Sequence, residues 1–140
     1  MHKLSLPLAL ALSIITTSTI AAENGLTGKW VGNVAGNDPH VGAVFELKQS
    51  GTKVKGTFVW ISDSSGNCKR VLEGTFDPKT KICHLKDVDI ISYHPNSDWR
   101  FCKIEDYELS LMQDGMQLIG KYSSNECHDN ASIKLRRMDR

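Results

Sequence analysis

The chain has 140 residues, and its 17 lysines and arginines against 16 aspartates and glutamates give a formal net charge of +1. That balance argues against a nucleic-acid binder, which needs a basic excess or stripe; Lys134 with Arg136 and Arg137 is the nearest approach and reads as a solvated strand end. The length suits one domain.

In chain order, the first feature reads as a secretory leader. His2-Lys3 precede an almost unbroken apolar run from Leu4 to Ile15, followed by the small polar residues Thr16 to Thr19 and by Ile20-Ala21-Ala22-Glu23. The run falls short of the roughly 20 residues that span a bilayer, and the small residues before Glu23 suit cleavage after Ala21 or Ala22. The expectation is a signal peptide over residues 1–21 and a single domain over residues 22–140. The product would be secreted or periplasmic, with no membrane span in the mature chain.

Leu26 to Ala35 alternates, with Gly28, Trp30, Gly32 and Val34 on one face, and predicts a first strand. Asn37-Asp38-Pro39 breaks it before a second strand over Val41 to Gln49. Ser50-Gly51-Thr52 turns the chain into a third, Lys53 to Ile61, with Val54, Gly56, Phe58 and Trp60 in phase. A polar loop, Ser62 to Asn67, leads to a fourth strand, Lys69 to Phe76, which ends at the turn Asp77-Pro78-Lys79-Thr80. A less regular fifth strand covers Lys81 to Ile91, and His94 to Asp98 is a loop. The sixth runs from Arg100 to Met112, the seventh from Met116 to Ser123 and the eighth from Ala131 to Met138.

Eight short strands with short connections predict an all-β fold, an eight-stranded antiparallel up-and-down β-barrel, whose closure removes the open sheet edges. A two-sheet sandwich is the rival. The predicted interior holds Trp30, Phe45, Phe58, Leu109, Leu118, Tyr122, Ile133 and Leu135. Four repeats support the barrel: Gly28-Lys29-Trp30, Gly56-Thr57-Phe58, Gly74-Thr75-Phe76 and Gly120-Lys121-Tyr122. In each, the glycine and the ring two residues on share a strand face, so the missing side chain leaves room where the sheet coils tightly.

Cys68, Cys83, Cys102 and Cys127 are an even number in a short exported chain, which predicts two disulfides. Cys102 with Cys127 lie near one rim. Cys68 with Cys83 remain, although the register sets them nearer opposite ends. Separations of 15, 19 and 25 residues contain no Cys-x-x-Cys knuckle, so no metal is expected.

Leu26-Thr27-Gly28-Lys29-Trp30 resembles the opening strand of the avidin family, and Gly56-Thr57-Phe58 resembles its later Gly-Thr-Tyr strand. More broadly, Gly28-x-Trp30 with Arg136 or Arg137 on the last strand resembles the calycin pattern of avidins and lipocalins. There an arginine stacks over a tryptophan and closes one barrel end. The resemblance covers about the first 35 mature residues and the last strand, and implies a calycin-like barrel. It does not carry the ligand: Gly32 stands where avidins place a biotin-binding asparagine, and Phe58 lacks the tyrosine hydroxyl. Gly115 to Tyr122, then Cys127 and Ile133 to Arg136, also resembles uncharacterised bacterial secreted or periplasmic β-barrel domains, which implies a compartment and no chemistry.

No nucleophile elbow, phosphate loop or His-x-x-x-His is present. His84, His94 and His128 lack a diagnostic neighbourhood, so the residues support no catalytic assignment and no cofactor. Aromatic and charged residues do converge on one rim, where Trp60, Ser62, Asp63, Tyr93, His94, Asp98, Trp99, Arg100, Asn125 and His128 fall in or beside connections. Trp60, Tyr93, His94, Asp98, Trp99 and Arg100 are the candidate ligand-binding residues. Trp99 either supplies a contact surface or folds back to plug the barrel mouth. The expected function is non-catalytic binding or inhibition of a protein or glycan partner outside the cytoplasm. A carrier of a small hydrophobic ligand and a cell-envelope hydrolase, using His94 or His128 with Asp98, are the alternatives.

Overall fold

Eight strands follow one another round a closed antiparallel barrel, and the last pairs with the first. They are β1 (Gly28–Ala35), β2 (Val41–Ser50), β3 (Lys53–Ser62), β4 (Gly66–Asp77), β5 (Ile82–Pro95), β6 (Asp106–Leu111), β7 (Gln117–Ser124) and β8 (Asp129–Arg137). The computed structural model describes residue 3 and residues 25–138. Apart from Lys3, the expected leader and its cleavage point lie outside these residues.

Alternation does most of the work. Trp30, Phe45, Phe58, Leu109, Leu118, Tyr122, Ile133 and Leu135 are all buried, as the period of two requires. Phe45 and Phe58 stack at 4.3 Å between centroids, and Tyr107 meets both edge-on at 6.1 Å. These rings fill the middle of the barrel. At Gly56, Gly74 and Gly120, an added Cβ would collide with the carbonyl oxygens of Glu46, His84 and Glu108 on the adjoining strands. Three of the four repeats therefore mark close strand approach. Gly28 differs, since its φ of +141° excludes most side chains and its Cβ would meet Arg137.

The end near Trp30 is closed by Arg137, whose guanidinium carbon lies 4.2 Å from the indole centroid. Nη1 donates to Thr27 O at 2.9 Å, Nη2 to Gly25 O and Nε to Gly115 O, so one side chain ties the segment just before β1 to the β6–β7 turn. Of the two arginines offered by the sequence, Arg137 has this role.

Two strand boundaries depart from expectation by four residues or more. β5 continues to Pro95, so Tyr93 and His94 belong to a strand paired with Cys68 and Asn67. Conversely, β6 begins only at Asp106, and residues 100–105 form no strand. Several of their backbone groups are committed to side chains instead: Ile104 N donates to Asp87 Oδ2 at 2.8 Å, and Cys102 O accepts from Arg70 Nη1 at 2.7 Å; Ile104 O keeps a backbone bond to β5, from Asp87 N at 2.9 Å. β5 accordingly pairs with β6 only over Ile82 to Leu85, and register shifts against β4 at Lys69/Arg70 and Val71/Leu72 bend its upper half.

One expected disulfide forms, Cys102–Cys127, with the Cα atoms 5.9 Å apart. The second does not: Cys68 and Cys83 are free and buried. Although they sit on neighbouring strands, Cys68 faces Tyr93 whereas Cys83 faces Phe76. At ~3.3 Å per residue they are about 26 Å apart along the sheet, far beyond the ~7 Å a bridge tolerates. Burial pushes both thiols up, Cys83 to about 12, which keeps them protonated and unreactive.

Candidate functional site: an aromatic pocket at the barrel rim

The β1–β2, β3–β4, β5–β6 and β7–β8 connections all emerge at the end opposite Trp30. Residues of the β1–β2, β5–β6 and β7–β8 connections, with strand residues beneath them, line an open cavity of about 240 Å³. Its walls are the rings of Trp60, Trp99, Phe101 and Tyr122, and Arg70 contributes from below. Trp60 and Trp99 lie at 6.2 Å with their planes tilted 41°, and Phe101 meets Trp60 edge-on at 5.8 Å.

Two of these rings, Trp60 and Tyr122, are held by polar partners. The Trp60 indole donates to Ser65 Oγ at 2.8 Å, and Ser65 Oγ in turn donates to Asp38 Oδ2 at 2.7 Å. Ser62 Oγ donates to the same oxygen and His40 N to the other, so Asp38 ties the β1–β2 and β3–β4 connections together. Burial pushes the Asp38 carboxyl up, but the hydrogen bonds from Ser62, Ser65 and His40 outweigh it and hold the group below its ordinary value. Tyr122 donates to Asp129 Oδ2 at 3.0 Å, while Asn37 Nδ2 donates to Oδ1. Burial and the neighbouring Asp129 carboxylate push the Tyr122 hydroxyl well up, so it stays a donor.

Arg70, on β4, points inward in phase with Cys68 and Leu72 and is 2% exposed. Its Nη1 reaches Asp87 Oδ2 at 2.5 Å, and Asp87 Oδ1 accepts from the Tyr107 hydroxyl at 2.8 Å. Burial works against the arginine's charge, yet the Asp87 carboxylate against it outweighs this and keeps the guanidinium protonated. A buried pair of this kind is strongly coupled to folding, because removing either partner strands the other. Arg70 Nε has no hydrogen-bond partner.

Of the six candidate residues, Trp60, Asp98, Trp99 and Arg100 line this cavity. Tyr93 and His94 lie on β5 and do not line it; Tyr93 is 47% exposed and packs edge-on against Phe101 at 5.7 Å. Trp99 is half-buried against the core and lines the mouth, so it combines the two roles the sequence left open. Arg100 pairs with Glu126 at 2.7 Å. Sequence reasoning missed Asn37, Asp38, Arg70, Phe101 and Asp129. A usable signal existed for Arg70, which shares the strand phase of Leu72 and Phe76, and for Asp87, which shares that of Cys83 and Leu85.

The His–carboxylate contact that forms, His84 Nδ1 to Asp106 Oδ1 at 3.3 Å, is exposed on the outer face of the barrel. Among the described residues no group of three or more His, Cys, Asp or Glu could hold a metal ion, and no helix is long and apolar enough to cross a membrane. No protein-family model matches the sequence, and no curated protein matches it.

Proposed function

We propose that the chain is a non-catalytic binding or inhibitor protein, secreted or periplasmic, that receives part of a protein or glycan partner in the rim pocket. The observation carrying this reading is Trp99, an indole held half-buried at the cavity mouth beside Trp60 and flanked by the polar edge of Asp98, Arg100 and Asp129. Few convergent polar groups on an aromatic surface are the usual makeup of a recognition site. A hydrophobic-ligand carrier would need about 300 Å³ or more of apolar cavity, and here the barrel interior is occupied by Trp30, Phe45, Phe58 and Tyr107.

The test is affinity capture from the native extracytoplasmic fraction, with the wild type and Trp99→Ala immobilised side by side. A specific partner held by the wild type and lost by the variant supports the reading. Equal recovery by both removes the rim pocket from the binding surface.

A further inference from the structure

Arg70, which lines the rim pocket, belongs to an ion pair that is complete in charge and incomplete in hydrogen bonding. Arg70 and Asp87 face each other with their side chains 3% and 1% exposed. Both described hydrogen bonds of Arg70 leave from Nη1, to Asp87 and to Cys102 O. Nε, on the other side of the fork, has no partner, although Arg70 lines the cavity. A guanidinium has five donors in a fixed plane, and a buried one left unpaired calls for an acceptor.

Charge decides which acceptor fits. Asp87 already neutralises Arg70, and Glu126 holds the other lining arginine, Arg100. An anionic ligand would therefore meet Asp98 and Asp129 with no uncommitted cation among the described lining residues. It would bury an uncompensated charge. Shape narrows the class further, since the walls are ring faces and the margin is carboxylate and amide. That combination matches a ring with an apolar face and a hydroxylated edge.

We infer that the pocket takes a saccharide ring that carries no negative charge, with a neutral oxygen, a carbonyl or hydroxyl, directed at the unused donor side of Arg70. The inference rests on the rim pocket being the binding site. Within the two partner types, it selects the glycan.

The test is an NMR titration of the disulfide-bonded protein, following the Arg70 Nε–H and Trp99 indole N–H signals. The probes are N-acetylglucosamine, glucose and glucuronic acid, which share a ring and differ in charge. The expected result is a saturable shift of both signals with N-acetylglucosamine or glucose. Glucuronic acid binds at least ten-fold more weakly. Because Arg70 variants strand Asp87 and risk unfolding, the supporting variant is Trp99→Ala, which should weaken the neutral sugars at least ten-fold. Equal or tighter binding of glucuronic acid overturns the inference, as does an Arg70 signal that no sugar moves. If no sugar binds while partner capture still depends on Trp99, this inference alone falls; if capture is also independent of Trp99, both readings fall.

Discussion

Trp30 is fully buried, donates its indole N–H to Leu26 O at 2.9 Å, and carries the Arg137 guanidinium on its outer face. Trp30→Ala should therefore cost about 3–5 kcal/mol in urea unfolding, and a loss below about 1 kcal/mol would show that the ring is not core. Asp38 makes a prediction in pH. Its folded carboxyl lies below the ordinary value of 3.8, so its contribution is present in full above that value and is lost as the pH falls through the lower folded one. The stability difference between wild type and Asp38→Asn should be constant near neutrality and shrink below about pH 4. A difference that grew in acid would contradict the hydrogen-bonded carboxylate. Both residues lie in segments the sequence marked, yet only Trp30 carried a readable role. An aspartate beside a proline looks like any turn former, and its serine partners come from the β3–β4 connection.

At the level of elements, the strand pattern was legible because each strand obeys period two, and the repeats located three close strand approaches. Gly74→Ala should lower stability by about 1–3 kcal/mol, since the new methyl meets the His84 carbonyl; a change within about 0.5 kcal/mol would mean that β4 and β5 can separate freely. The segment over residues 99–105 was not legible. Tyr107, Leu109 and Leu111 alternate as a strand should, and extending that phase backward gives Arg100 to Glu105 the same appearance. What stops the strand is Asp87 on β5, which takes the Ile104 N–H, and Arg70 on β4, which takes the Cys102 carbonyl. Such partners are set by tertiary placement. The Cys102–Cys127 bridge then holds this segment to the β7–β8 connection, helped by Ser124 Oγ donating to Lys103 O. Replacing both cysteines by serine should cost about 3 kcal/mol for a loop of this size. Free-thiol titration of the unfolded, unreduced protein should find Cys68 and Cys83 reactive and Cys102 and Cys127 protected.

Across the whole molecule, the two ends of the barrel are built for different tasks. One is shut by Trp30 under Arg137, and the core between is packed with rings. The other keeps an aromatic cavity of about 240 Å³ above a neutralised ion pair. The sequence placed Trp60, Asp98, Trp99 and Arg100 at this end because they sit in or beside connections that a meander must bring together. Arg70 escaped it, since a charge in the inward phase reads as a register error until its partner Asp87 is seen. The chain's three tryptophans make the difference between the ends directly measurable. In a nitrogen-15 spectrum recorded with and without the captured partner or N-acetylglucosamine, the indole N–H signals of Trp99 and Trp60 should shift saturably while that of Trp30 stays fixed. A ligand that moves Trp30, or leaves all three unmoved while binding elsewhere, contradicts a rim-binding barrel.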